Sequence, residues 1–161
     1  MKFAESYLGR LRAKVGNELL QVPGGRIVLL DRNGRVLLQQ RSDFGIWGLP
    51  AGSPEIGEAA TESIKREVLE ETGLTVATLK CFGYSSNPEY ETITYPNGHV
   101  IHCYSLLYYA TDWTGNLLAS DSESTALEFF SLSRLPKMIR NHRRTLSMYL
   151  RFKETGEFQL D

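Results

Sequence analysis

The first apolar pattern along the chain has a spacing of four. Phe3, Tyr7, Leu11 and Val15 recur at that interval with Ala4 and Leu8 beside them, while Lys2, Arg10, Arg12 and Lys14 fall elsewhere around the turn. This predicts an amphipathic helix in an N-terminal extension over residues 1–20, its apolar stripe packed on the domain or on a second subunit. Two apolar runs follow, Arg26 to Leu30 and Arg35 to Gln40, split by Asp31-Arg32-Asn33-Gly34. An Asn-Gly pair between such runs predicts a β-hairpin. Residues 41–57 hold Gly45, Gly48, Pro50, Gly52, Pro54 and Gly57 and read as a structured loop. From Glu58 to Thr72 the pattern is helical, with Gly73 placed as a C-terminal cap. Strand is expected within residues 75–95, then a turn at Tyr95-Pro96-Asn97-Gly98. Further strands are expected at Val100 to Tyr109 and at Leu127 to Leu132, and a closing helix over Lys137 to Phe152. Strands and helices interleave around a mixed sheet, an α/β or α+β layered fold.

Composition narrows the picture without changing it. The chain has 161 residues, 42% of them hydrophobic and 11% aromatic, enough to bury a core. No repeat, low-complexity tract or linker interrupts it, so one domain is expected over residues 1–161. A formal net charge of −1 gives no global attraction to nucleic acid or to an acidic membrane. Neither is expected as a partner, and any phosphate must be handled locally. Cys81 and Cys103, with three scattered histidines, form no zinc spacing and no disulfide framework. The N-terminus lacks the apolar core of a signal peptide, and no segment approaches the roughly 18 apolar residues of a membrane span. A cytoplasmic, soluble protein is the expectation.

The chemistry lies between Gly52 and Leu74. On the predicted helix, Glu67, Glu70 and Glu71 fall within an arc of roughly 100°, with Ser63 one turn earlier and Ile64 and Val68 to one side. Three converging carboxylates repel, and each ionised neighbour raises the pKa of the others. A solvated helix face is one reading of such a cluster. The other is a hard divalent cation, Mg²⁺, which prefers oxygen ligands and keeps waters for reaction. Arg66 is adjacent and able to hold the Glu67 carboxylate. A set of this kind suits attack of an activated water on phosphorus, with a carboxylate taking the proton.

The spacing separates the two readings. Gly52, five residues, Glu58, seven residues, then Arg66-Glu67-Val68-Leu69-Glu70-Glu71-Thr72-Gly73-Leu74 matches every fixed position of the Nudix box. Seven fixed residues match by chance on the order of once in 10⁸–10⁹ start positions. The chain thus resembles the Nudix hydrolases, in the manner of MutT and ADP-ribose pyrophosphatase. That resemblance implies a Nudix-type α/β/α sandwich with a mixed sheet. It implies that Arg66 orients Glu67, that Glu67, Glu70 and Glu71 bind Mg²⁺ (for which Mn²⁺ can substitute), and that Glu67 is a candidate base. Glu58 is implied to be structural. A backbone carbonyl in the loop, at Ala51, is the further metal ligand it implies; many relatives carry Pro-Gly-Gly where this chain has Pro50-Ala51-Gly52. Family members often add an acid ahead of a late strand, and by position Glu123 best resembles it, as ligand or base, with an exposed loop carboxylate the alternative. Glu128 reads as a solvent-facing strand residue.

The remaining residues leave alternatives open. Trp47 packs under the box loop or stacks on a base. Tyr84, Tyr90 and Tyr95 serve core and hairpin packing or line a base pocket. Lys137, Arg140, Arg143, Arg144 and His142 read as a solvated helix face, with substrate phosphates as the other use. The box reports a nucleoside diphosphate linked to another moiety, and ADP-ribose or a nucleotide sugar is favoured. The alternatives are a (d)NTP pyrophosphohydrolase or oxidised-nucleotide sanitiser, and, in another class, a nucleotide-binding sensor that does not cleave. The intact set of glutamates argues against the sensor. The N-terminal helix and aromatic-rich strands admit a homodimer.

Overall fold

The computed structural model describes residues 3–119 and 123–161. After a 3-10 turn (Phe3–Glu5) come α1 (Tyr7–Val15), β1 (Leu20–Leu29), β2 (Val36–Arg41), β3 (Trp47–Gly48), β4 (Ala51–Gly52) and α2 (Ala60–Thr72). There follow β5 (Leu74–Val76), β6 (Lys80–Ser85), α3 (Pro88–Glu91), β7 (Thr92–Thr94), β8 (Val100–Ala110), β9 (Trp113–Gly115), β10 (Ser124–Phe130), α4 (Arg140–Thr155) and β11 (Gln159–Leu160).

The centre is the parallel pair β1 and β8, in register from Leu20–Ile101 to Leu29–Ala110. β6 and β7 add to β8 antiparallel, β4 adds to β1 antiparallel, and β11 joins β6 in parallel, so the sheet is mixed. A second sheet has the order β10-β2-β3, and β5 pairs with β9. The C-terminal end of β1, from Ile27 to Leu29, is apolar on both faces because helices cover both. Ile27 and Leu29 point into a cluster with Ile64 and Val68 of α2, whereas Val28 and Leu30 join Leu146, Met148 and Tyr149 of α4. Alternating side chains on one strand therefore bind two helical layers, which gives the α/β/α sandwich.

One local expectation needs correction, and the N-terminal helix adds a feature its hydropathy did not show. The turn after β1 forms as its chemistry requires: Asp31 Oδ1 accepts the N–H groups of Asn33 and Arg35 at 2.9 Å each, and Gly34 sits at φ +73°. The strands it joins do not make a hairpin ladder. They share a single bridge, Leu30 to Val36, and β2 turns into the second sheet. The edge of β1 that β2 would need is taken by the loop and strand at Pro50–Gly52, where Pro50 accepts the Ile27 N–H at 3.1 Å. Phe3 of the 3-10 turn and Tyr7 of α1 are exposed, and the buried residues of α1 are Gly9 and Arg12. A side chain at Gly9 would collide with the Phe3 carbonyl, so the chain folds back on that face. The Arg12 guanidinium is satisfied there by the carbonyls of Gly16, Glu18 and Val100.

Sequence also missed the short α3, β9 and β11, and it started β10 three residues late. These pieces are too short for a period to register. α2 ends as expected at Gly73, whose left-handed backbone (φ +76°) lets its N–H reach the Leu69 carbonyl. A Cβ there would lie 2.7 Å from the Asn116 carbonyl. Gly73→Ala is expected to destabilise the fold by about 1–3 kcal/mol in denaturant unfolding, against no change for Leu69→Ala, whose side chain is half exposed.

Candidate active site

α2 is held still by Ile64 and Val68, both fully buried, so that Arg66, Glu67, Glu70 and Glu71 project from a fixed surface toward β4. Arg66 is the hub. Its Nε and Nη2 donate to the two oxygens of Glu58 at 2.9 Å each, Nη1 to Glu67 Oε1 at 2.9 Å, and Nη2 to the Ser53 carbonyl at 3.2 Å. Glu70 Oε1 lies 3.6 Å from the same guanidinium. The planar fork suits two carboxylates at once. The Arg66 hydrogen bonds hold Glu58 below the usual carboxylate range.

Glu67 and Glu71 behave differently. Burial pushes Glu67 up to about 7 against the pull of Arg66, and Glu70 and Glu123 add repulsion. Glu71 is 2% exposed, and burial pushes it up to about 8, although Arg41, Gln39 and the Ala51 N–H all favour its charged form. The Ala51 N–H donates to Glu71 Oε2 at 3.0 Å, and Arg41 Nη1 stands 4.0 Å from Oε1. Gly52 matters for Glu67: a Cβ on that residue would lie 2.1 Å from the Glu67 carboxyl carbon, so the backbone and the acid are in direct contact.

These groups open on one cavity of about 530 Å³. Its walls include Arg66, Glu67, Glu70, Glu71, Ala51 and Glu123, all six residues singled out in the sequence. Glu123 is brought in by Ser42, whose N–H donates to its carbonyl at 3.0 Å. Glu128 is exposed on β10 and is not among the cavity residues. Asp121, the other acid in the polar stretch of sequence ahead of that strand, lies outside the described residues. The same cavity is lined by Phe44 and Tyr95, whose rings are 5.3 Å apart, and by Arg41 and Asn141.

Other expectations resolve differently. Trp47 packs edge-on against Phe130 at 4.8 Å and belongs to the core. Tyr90 is covered by Arg140 and Arg144, at 4.4 and 4.1 Å from its ring centre. His142 is not on a solvated face: it is buried, accepts the Leu49 N–H at 2.9 Å through Nδ1, and burial holds it well below the usual histidine value. Sequence reasoning also missed Arg41 and Asn141. Each lies on an element that reads as ordinary strand or helix, and only the packing turns it toward the cavity.

The donor set is oxygen throughout, as a hard divalent ion prefers. Among the described residues no three His, Cys, Asp or Glu side chains are already gathered as an ion-holding cluster. Glu67 instead turns to Arg66 and Glu71 to the Ala51 N–H, because like charges separate when each has a nearer donor. Two carboxyls raised by burial and mutual repulsion fit a cation, which removes both penalties.

The NUDIX domain model matches residues 20–150. The chain is 32% identical over 128 residues to an ADP-ribose pyrophosphatase of Methanocaldococcus jannaschii, covering 78% of this chain and 71% of that one. It is 29% identical over 125 residues to a putative 8-oxo-dGTP diphosphatase of Bacillus subtilis, covering 77% and 76%. A MutT NUDIX hydrolase from Burkholderia pseudomallei has a similar structure, with a TM-score of 0.68 at 25% identity over 80% of this chain and 97% of that one. The chain belongs to the NUDIX domain family. It is a Nudix hydrolase, an enzyme of the class that acts on phosphoric anhydrides, and such hydrolases generally use a divalent metal.

The raised carboxyls set a pH dependence. Groups raised in the fold bind more protons there than in the unfolded chain, so stability falls as pH rises through their range. His142, lowered in the fold, acts oppositely, but its effect is complete above its ordinary value of 6.5. In EDTA, the melting temperature is therefore expected to fall between pH 6.5 and 8.5, as Glu67 and Glu71 are forced to ionise. Added Mg²⁺ is expected to raise it more at pH 8.5 than at pH 6.5. A melting temperature that rises with pH in EDTA would contradict the assignment.

Proposed function

We propose that this protein is a Mg²⁺-dependent pyrophosphohydrolase that cleaves the diphosphate of a nucleoside diphosphate linked to another moiety, with ADP-ribose or a nucleotide sugar favoured. The observation that carries this reading is the opening of four carboxylates and a loop backbone onto one cavity that also has an aromatic wall. A cavity of about 530 Å³ lies within the range used for small-molecule ligands. The relative named an ADP-ribose pyrophosphatase supports the substrate class.

Glu67, Glu70, Glu71 and Glu123, with the Ala51 carbonyl, would hold Mg²⁺, and Mn²⁺ can substitute. When bound, the ion supplies neutralisation of phosphoryl charge and a more acidic water. Arg66 fixes the Glu67 carboxylate by the 2.9 Å hydrogen bond and anchors the loop through Glu58 and Ser53. Glu67 accepts the proton of the attacking water as the phosphorus–oxygen anhydride bond breaks. Glu123 reaches the cavity from a different element than α2, so it acts as ligand or base on a second side of the diphosphate. Phe44 and Tyr95 offer faces to a base. One catalytic unit over residues 1–161 is part of the same proposal. A second reading, hydrolysis of (d)NTPs or oxidised nucleotides, has the Bacillus subtilis relative in its favour.

A hydrolysis screen read by chromatography of the mononucleotide products, over ADP-ribose, nucleotide sugars, (d)NTPs, 8-oxo-dGTP and dinucleoside polyphosphates, separates these readings. Turnover of ADP-ribose or a nucleotide sugar above the triphosphates is expected, abolished by EDTA; binding without turnover would favour a sensor. Glu67→Gln is expected to lower kcat by about 10²–10⁴ with the melting temperature in EDTA retained or raised. Glu123→Gln is expected to lower kcat at least about tenfold and Glu128→Gln to leave it near wild type. If Glu128→Gln is the impaired variant, the acid ahead of β10 has been assigned to the wrong residue.

A further inference from the structure

Beside the cavity lies a buried group of polar side chains that the chemistry above does not use. Arg26 on β1 and Glu91 at the end of α3 form an ion pair with side chains only 4% and 1% exposed. Arg26 donates from Nη1 to Glu91 Oε2 at 2.9 Å, from Nη2 to Oε1, and from Nε to Thr145 Oγ1 at 3.0 Å. Ser85 Oγ donates to Glu91 Oε1 at 2.6 Å, and Asn141 Nδ2 to Oε2 at 3.2 Å. Every partner of this carboxylate is a donor, as an acceptor-only group requires.

The same constraint orients the Asn141 amide. Flipped, its oxygen would oppose a carboxylate oxygen and both would lose their hydrogen bond. The NH₂ therefore faces Glu91 and Oδ1 faces away. Asn141 lines the cavity, and its buried Oδ1 has no hydrogen-bond partner. A buried acceptor in that position is satisfied by a ligand that brings a hydrogen.

We propose that Glu91, charge-paired with Arg26, is a positioning residue that locks Asn141 as an acceptor toward the substrate, so that the site selects a nucleobase presenting an N–H donor. The inference rests on the nucleotide reading above. An amino- or lactam-bearing base such as adenine or guanine has such a donor on its pairing edge, whereas unsubstituted purine offers only acceptors there.

The test is equilibrium binding of AMP, GMP and purine riboside 5′-monophosphate in Mg²⁺, measured by calorimetry. Wild type is expected to bind the better of AMP and GMP at least tenfold more tightly than the purine analogue. Asn141→Ala should bring that ratio within twofold. Removing Glu91 alone would strand Arg26, so the lock is removed as Arg26→Met with Glu91→Met, because a buried pair replaced by apolar residues of similar volume is often tolerated. This variant should also level the ratio, with the purine analogue's Kd within twofold of wild type, and adding Asn141→Ala should change nothing more. Equal weakening of all three nucleotides, or a retained preference, would show Glu91 to be structural and overturn the proposal. Should that variant fail to fold, NMR of wild type with the better nucleotide decides: Asn141 Nδ2 protons protected from exchange and without contacts to the base support the lock, and a nuclear Overhauser contact from them to the base overturns it. If none of these three nucleotides, nor CMP or UMP, binds to wild type, the nucleotide reading itself fails; if all bind without preference, that reading stands and this one falls.

Discussion

The Arg66 guanidinium joins three parts of the chain. It is bonded to both oxygens of Glu58, to Glu67 and to the Ser53 carbonyl, with Glu70 at 3.6 Å. The loop before α2, the first acid of the helix face and the turn after β4 are thereby set relative to one another by one side chain. Lysine could not replace it, since a single ammonium has no planar fork for two carboxylates. The contact of Glu67 with the Gly52 backbone then follows, because Arg66 pulls the acid against β4 and only glycine leaves room there.

That arrangement carries an electrostatic cost which the remainder of the fold supports. Glu71 is buried beside Gln39 and beneath Arg41, and Glu67 is half surrounded by other acids. Both are raised far above an ordinary glutamate. A helix free to shift would relieve this by moving its acids into solvent. α2 cannot, because Ile64 and Val68 are locked into the cluster with Ile27, Leu29 and Leu74. The apolar layer is what keeps the acidic face in a strained state suited to a cation, and β1, feeding side chains to α2 and α4 alternately, ties both layers to one sheet.

Much of this was legible in the sequence where a pattern is long or a spacing is strict. The box fixed α2, its cap at Gly73 and the residues Arg66, Glu67, Glu70 and Glu71, and the polar stretch before β10 pointed to Glu123. The β1–β2 hairpin misled because turn chemistry is local, whereas the partner of a strand edge is decided by segments far away, here Pro50 to Gly52 and β8. The stripe on α1 did not reveal Gly9 and Arg12 as its buried residues, because they pack through backbone contacts that hydropathy does not record. Arg26, Glu91 and Asn141 lie 65 and 50 residues apart in successive pairs and meet only in the fold. His142 looked like part of a basic surface because its neighbours in sequence are exposed arginines.

That one buried and one half-buried acid stand ready for a cation is open to direct measurement. Magnesium binding, titrated calorimetrically at pH 7 in buffers of different ionisation enthalpy, reports the protons released. With Glu71 raised to about 8 and Glu67 to about 7, about one proton is expected to leave per ion bound, and far less at pH 9. Magnesium binding at pH 7 with no proton release would contradict it, since the ligands would then be acids already ionised and not Glu67 and Glu71 with their raised values.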